Sequence, residues 1–120
     1  MTGGRRGEKK EIYDMATDKG YLDFILDQLS LTDGITYRQM MGEYIIYCRG
    51  KIVGGIYDDR FLVKNTAAAR RLMPDASLQS PYEGAKEMLS VDDVDDREFL
   101  KTLIDGITAE LPEPRPKKQG

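Results

Sequence analysis

The residues that could carry out acid–base or metal chemistry are few in this chain. Its 120 residues include no histidine and one cysteine, Cys48, which has apolar neighbours. The lack of histidine excludes an imidazole acid or base, a His-containing catalytic triad and a histidine metal ligand. A single cysteine cannot form an internal disulfide, and we interpret Cys48 as a small buried hydrophobic residue rather than a reactive thiol.

Acidic side chains are the remaining candidates for catalysis or metal binding. The four aspartates within residues 92–96 lack the glycine and the distal bidentate glutamate of a calcium loop. Negative charge at the start of a helix is also favourable without a metal ion. The pair Asp58-Asp59 is typical of a hairpin turn. The sequence therefore predicts no catalytic residue, no metal site and no cofactor, and the protein is not expected to be an enzyme.

Side chains suited to binding another molecule are more numerous than those suited to catalysis. Aromatic, aliphatic and basic residues occupy alternate positions of one stretch. Because side chains alternate between the two faces of a strand, one face is expected to carry Ile45, Tyr47, Arg49, Lys51, Val53, Tyr57, Arg60, Leu62 and Lys64, together with Glu43. This outer face is half apolar and mostly basic, which is more apolar than a solvated sheet requires. We predict that it binds a protein; the alternative is a solvated sheet with amphipathic side chains lying flat on it.

Nucleic-acid binding is a second hypothesis for the same face. Tyr47 and Tyr57 would stack on bases while the four basic side chains contact phosphates. Residues 15–110, however, hold 11 basic and 17 acidic residues, a net charge of −6, which argues against strong binding to a phosphate backbone. Within them, residues 35–71 carry +4 and residues 75–110 carry −7, an asymmetry that can steer a protein partner.

Residues 35–64 must position this face. They alternate with period two and contain turn residues at Gly42, Arg49-Gly50 and Asp58-Asp59, which predicts an antiparallel meander of four short strands. The expected core face consists of Tyr44, Ile46, Cys48, Ile52, Ile56, Phe61 and Val63. Gly54-Gly55 is interpreted as a bulge or a close helix crossing, in preference to a backbone approach site for a ligand.

Three helices and a fifth strand complete the expected fold. The predicted N-caps of the helices are Thr17, Asn65 and Asp95, the last with Glu98 in a capping box. Residues 75–84 are expected to form an irregular loop and residues 86–91 the fifth strand. Segregated strands and helices indicate a two-layer α+β domain, with helices packed on one face of an antiparallel sheet.

The domain is expected to span residues 17–111. Residues 1–16 are expected to form a flexible N-terminal extension. Residues 112–120, PEPRPKKQG, are expected to form a disordered tail. No apolar run approaches the ~20 residues of a membrane-spanning helix, and no signal-peptide pattern precedes the first helix. We therefore expect a cytoplasmic protein without a membrane partner.

Short sequence features follow one another in a specific order along the chain. They are Met41-Gly42, Tyr47 with Gly50-Lys51, Asp58, Lys64, Pro81-Tyr82 and Gly84-Ala85-Lys86. No one of these is diagnostic. As a series, from about Asp18 to Leu111, they resemble the N-terminal domain of the TfoX/Sxy family, known for regulators of natural competence.

The resemblance implies a two-layer α+β fold similar to secretion-chaperone-like domains, without enzymatic activity. It also implies transcriptional activation of competence genes alongside a cyclic-AMP-responsive regulator. Competence regulators of the family carry a second, helical C-terminal domain, whereas this chain ends in the expected tail at Gly120. The expected function is thus that of a stand-alone regulatory domain acting through a protein partner, such as a transcription regulator.

Self-association is also expected, through the outer face. With helices on the inner face, the exposed apolar residues would be Ile45, Tyr47, Val53, Tyr57 and Leu62. Together they would form a patch of several hundred Å², at the upper limit of what monomers expose. Burial of the same patch on two subunits about a two-fold axis predicts a homodimer.

Overall fold

Six antiparallel strands form one sheet in the computed structural model, which describes residues 18–113. The predicted extension 1–16 and residues 114–120 of the predicted tail lie outside this range. In chain order the elements are α1 (Lys19–Gln28), β1 (Ile35–Met40), β2 (Glu43–Cys48), β3 (Lys51–Tyr57), β4 (Arg60–Val63), α2 (Ala67–Leu72), β5 (Leu78–Gln79), β6 (Met88–Ser90) and α3 (Arg97–Glu110). The strand order is β1-β2-β3-β4-β6-β5.

The predicted four-strand meander is confirmed as β1 to β4, each paired antiparallel with the next. Its three connections are two-residue turns at Met41-Gly42, Arg49-Gly50 and Asp58-Asp59, and all six turn residues have positive φ. This is the pattern of type I′ turns, whose twist matches that of the flanking strands. The assignment of Asp58-Asp59 to a hairpin turn is therefore confirmed.

The helices begin one residue later than the sequence analysis predicts. The N-cap of α1 is Asp18, whose carboxylate accepts a hydrogen bond from the Gly20 N–H at 3.0 Å. Thr66 and Asp96 are the N-caps of α2 and α3, in place of Asn65 and Asp95. The Asp96 carboxylate accepts a hydrogen bond from the Phe99 N–H. A capping box needs Glu or Gln three residues after the N-cap, and here that residue is Phe99, so the predicted box with Glu98 is not formed.

The last two strands pair with each other and extend the sheet beyond the meander. Strand β6 is the predicted fifth strand, shortened to three residues, and it pairs with β4. Strand β5 lies inside the predicted irregular loop and pairs with β6. Two residues are too few to show a period in the sequence, which is why this sixth strand was missed.

All three helices contribute to one hydrophobic core on the inner face of the sheet, as predicted. The members from the helices and their caps are Leu22, Ile25, Leu29, Ala69, Leu100, Leu103, Ile104 and Ile107, and the strand members include Tyr44, Ile46, Cys48, Val53, Ile56, Phe61, Val63 and Leu89. The α+β fold with helices on one face is confirmed, and the core cluster lies between that face and the helices.

Candidate interaction site on the outer sheet face

A β-bulge in β3 decides which side chains reach the outer face. The pairing of β2 with β3 shifts between Ile46 and Tyr47, so that Ile46 faces Gly54 while Tyr47 faces Ile52. One extra residue, Val53, is thereby inserted into β3. The bulge interpreted at Gly54-Gly55 thus lies next to the glycine pair, at Val53, and both glycines keep regular partners in β2.

Because of the bulge, three side chains lie on the face opposite to the one predicted. Val53 and Lys51, predicted on the outer face, lie on the inner side, and Val53 is fully buried. Ile52, predicted for the core, is 39% exposed on the outer side. The cause is the inserted residue, which reverses the alternation for everything between it and the preceding turn.

Five of the remaining predicted residues lie together on the outer face: Ile45, Tyr47, Tyr57, Arg60 and Leu62. Register places Ile45 opposite Gly55, Tyr57 opposite Arg60, and Leu62 opposite both Gly55 and Ser90. Tyr47 is also on this face, opposite Ile52. Leu62 is completely buried despite this position. With Val53 and Leu62 both buried, the exposed apolar patch is smaller than the one predicted.

Tyr57 covers the centre of the outer face. A methyl group added at Gly55 would lie 2.7 Å from the Tyr57 ring and hydroxyl, so the glycine leaves room for this ring to lie on the sheet. Burial raises the pKa of Tyr57 above its ordinary value of 10.0, and Tyr82 and Glu43 raise it further. The phenol therefore stays protonated at neutral pH and can donate a hydrogen bond.

Three of the four predicted basic side chains are engaged within the protein. Lys51 Nζ donates to the carbonyl oxygens of Thr108 and Leu111, at 3.2 and 3.1 Å. It thus binds the C-terminal end of α3, where a cation is favourable. Lys51 also forms an ion pair with Glu113 at 3.4 Å.

The two arginines bind neighbouring segments. Arg49 donates to the Asp33 carbonyl at 2.9 Å and to the Asp105 carboxylate at 3.2 Å, and its hydrogen bond with Asp105 is the main cause that raises its pKa. Arg60 donates to the Tyr57 carbonyl and, at 2.7 Å, to Gln79. These contacts hold the arginines to the fold instead of directing them to a nucleic-acid phosphate.

A groove of about 520 Å³ is lined by β3, by the β4–α2 connection, by residues 81–88 and by Leu111 at the end of α3. On the sheet side it is lined by Ile52, Tyr57 and Lys64. On the other side its lining includes Pro81, Tyr82, Ala85, Lys86, Glu87 and Met88. Tyr82 is 66% exposed. The groove therefore combines apolar and aromatic walls with two lysines and one glutamate, a surface suited to an extended peptide segment.

Ile52, Tyr82, Lys86 and Met88 were not predicted as site residues. Ile52 was missed because the bulge was not located, and Met88 because the predicted face was confined to residues 43–64. A local signal existed for Tyr82 and Lys86, since Pro81-Tyr82 and Gly84-Ala85-Lys86 are among the sequence features singled out above. Gly84 adopts φ +88°, a value that favours glycine.

Elsewhere in residues 18–113, no group of three or more His, Cys, Asp or Glu side chains is placed to hold a metal ion. Asp96 instead caps α3. Cys48 is fully buried, as predicted, and its thiol donates to the Asp33 carbonyl at 3.5 Å. No helix within the same residues has the length and apolar character needed to cross a membrane.

Comparison with known proteins finds a relative that matches most of this chain. An uncharacterized 12.7 kDa protein in the trpE 5′ region of Spirochaeta aurantia is 36% identical over 105 residues, which cover 87% of this chain and 91% of the relative. No family model matches the chain, and no solved structure matches it.

Proposed function

The chain belongs to the same family as the 12.7 kDa protein of Spirochaeta aurantia; from the surface of its sheet, we propose that it is a non-enzymatic protein-interaction domain. The groove on the outer face is the observation that carries this proposal. It exposes Ile52 and Tyr82, two large apolar side chains, on either side of a cleft. Exposed apolar surface that lines a concave site is typical of a binding site for another molecule.

The charges of the groove indicate the class of partner. Lys64 and Lys86 line it together with one acidic residue, Glu87. An extended segment with apolar side chains for the walls and acidic side chains for the lysines would complement this surface. We therefore propose that the partner is a protein that presents such an acidic, apolar segment.

The resemblance to the TfoX/Sxy N-terminal domain supports a regulatory role for this binding. We propose that the partner is a transcription regulator and that the complex acts in the cytoplasm, in the control of competence or a related process. Direct nucleic-acid binding is less well supported, because Arg49, Lys51 and Arg60 are engaged with other parts of the fold.

Affinity capture from a lysate of the source cell tests the proposal. The baits are the wild-type protein, Ile52→Glu and Tyr82→Glu, each of which places a negative charge in the groove. Phe24→Glu is the matched control, since Phe24 on α1 is exposed to a similar degree as Ile52 but lies outside the groove. A transcription regulator retained by the wild type and the control, and lost by both groove variants, is the expected result.

Two outcomes contradict the proposal. Equal retention of the same protein by all four baits would move binding away from the groove. Failure of the wild type to retain any protein at micromolar bait concentration would count against an interaction domain.

A further inference from the structure

The free edge of β1 is the feature of the sheet that the groove does not explain. The sheet ends at β1 on one side and β5 on the other. Strand β5 has two residues, whereas β1 has six, and within residues 18–113 only β2 pairs with it. Proteins usually protect an edge with a very short strand, a proline or several charges. Strand β1, ITYRQM, has no proline and one charge, Arg38.

The turn at Met41-Gly42 fixes which backbone groups point away from β2. A two-residue turn is closed by a hydrogen-bonded pair, here Met40 with Glu43, and such pairs then alternate along an antiparallel ladder. The Arg49 N–H donates to the Gly34 carbonyl at 2.8 Å, which confirms the same alternation at the other end of β1. The N–H and C=O groups of Ile35, Tyr37 and Gln39 therefore point to the free edge.

Exposed apolar side chains concentrate next to this edge. Of the eight large hydrophobic residues that are most exposed in the part of the chain described, four lie within residues 31–41: Leu31, Tyr37, Met40 and Met41. Met41 is 94% exposed and has φ 53°. Asparagine is preferred at that turn position, so an exposed methionine is unusual there.

We propose that two copies of the chain pair through β1, antiparallel, about a two-fold axis, with Tyr37 opposite Tyr37 of the partner subunit. A two-fold axis perpendicular to the sheet keeps every side chain on its own face, provided that the axis passes through a residue of β1 and not between two residues. The two such registers with the greatest overlap are centred on Tyr37 or on Arg38. Centring on Arg38 would place two cations side by side, which is destabilising. Centring on Tyr37 avoids this.

The Tyr37 register also satisfies the free backbone groups. Tyr37 exchanges reciprocal hydrogen bonds with Tyr37 of the partner subunit, and Ile35 does so with Gln39 of the partner subunit. Tyr37 already contacts Tyr44 edge-on, with ring centroids 5.9 Å apart, so the aromatic contact continues across the axis. The exposed methionine turn of one copy then reaches the connection between α1 and β1 in the other, where Leu31 is exposed.

This contact differs from the homodimer predicted on the outer face. Burial of Val53 and Leu62 removes two of the five side chains on which that prediction depended. The β1 edge needs neither of them and leaves the groove open to another protein. Self-association through β1 is therefore independent of the proposed function.

Size-exclusion chromatography with light scattering tests the dimer. At tens of micromolar, the full chain should have twice its mass of 13.6 kDa. Tyr37→Lys places two ammonium groups opposite each other and should give a monomer with an unchanged circular dichroism spectrum. Tyr82→Lys, the matched control outside β1, should remain dimeric. A monomeric wild type would overturn the proposal, because the edge would then be covered by another segment or by another protein. A Tyr37→Lys protein that is still dimeric would overturn it too.

Disulfide trapping tests the register, in a chain that carries Cys48→Ala. Opposite residues in a hydrogen-bonded pair have Cα atoms about 5.5 Å apart, within the range that a disulfide spans. Tyr37→Cys should therefore give a covalent dimer on oxidation. Arg38→Cys should not, because its nearest counterpart is a diagonal neighbour about 7–8 Å away. Trapping of Arg38→Cys in place of Tyr37→Cys would overturn the register.

Discussion

Lys51 shows how far the role of one residue can differ from its predicted role. Its place in an alternating, basic stretch predicts a solvent-facing side chain, yet the side chain is only 12% exposed and binds the end of α3. The partners, Thr108 and Leu111, are 57 and 60 residues away in the sequence. A contact at such separation leaves no local signal, so periodicity could not have predicted it.

Replacement of Lys51 should therefore affect stability more than a surface lysine does. Lys51→Met keeps much of the aliphatic stem and removes the charged donor, leaving the carbonyls at the end of α3 without it. Hydrogen bonds to a charged group contribute about 1.5–3 kcal/mol, so we expect the free energy of unfolding to fall by about 1–3 kcal/mol in urea denaturation. Lys19→Met, which removes only an exposed pair with Asp23, should change it by less than about 0.5 kcal/mol. Equal effects of the two variants would contradict this role.

Two tyrosines should make the protein sensitive to alkaline pH. Burial raises the pKa of both Tyr21 and Tyr57 above the ordinary value of 10.0. A phenol with a higher pKa in the folded state stabilises that state below its unfolded pKa, and the contribution is lost as the pH rises through the folded pKa.

The expected result is a free energy of unfolding that falls above pH 10 and falls less steeply in the Tyr21→Phe, Tyr57→Phe double variant. Denaturant titrations at a series of pH values between 8 and 11 measure this. Parallel curves for the two proteins would show that neither phenol contributes.

At the scale of the element, strand β3 illustrates what alternation can and cannot predict. The inward positions of β2 and β4 follow from period two, because each strand is regular from turn to turn. In β3 a single inserted residue exchanges the faces of Lys51 and Ile52. The glycine pair indicates a bulge, but the residue at which the register shifts depends on the pairing with β2, which the sequence of β3 alone does not contain.

Gly54→Ala should test the close packing at the bulge. A Cβ at Gly54 would lie against the Leu62 carbonyl oxygen and 2.9 Å from the Val63 Cα, both backbone atoms of β4 that cannot move aside independently. Forcing atoms into a packed region costs about 1–3 kcal/mol, and we expect a loss of that size in thermal or urea unfolding. Gly20→Ala in α1 is the control, since the added methyl would be no closer than 3.6 Å to its neighbours. A Gly54→Ala protein as stable as Gly20→Ala would contradict this packing.

At the scale of the whole molecule, the layer arrangement could be predicted and the binding site only in part. Segregated helices and strands were enough to place all helices on one face of the sheet. The groove was not predictable, because its second wall comes from residues 81–88, which approach the outer face only in the folded chain. Tyr57 and Lys64 are the predicted face residues that line it.

The groove and the β1 edge should act independently, because no residue of β1 or β2 lines the groove. We expect the Tyr37→Lys protein to be monomeric yet to retain the partner captured by the wild type. Conversely, Tyr82→Glu should lose the partner and remain dimeric. The double variant should lose both the dimer and the partner, without an additional effect. Loss of partner binding in Tyr37→Lys would instead mean that the two surfaces are coupled.

The sheltered ammonium of Lys51 has a consequence for experiments that modify amines. Reagents such as acetic anhydride react with lysines that solvent can reach, and the side chain of Lys51 is largely covered in the folded chain. Its acetylation requires that the last turn of α3 separate from the sheet. The rate of Lys51 acetylation relative to that of exposed Lys19, measured by mass spectrometry, therefore reports how often the C-terminal helix detaches under native conditions.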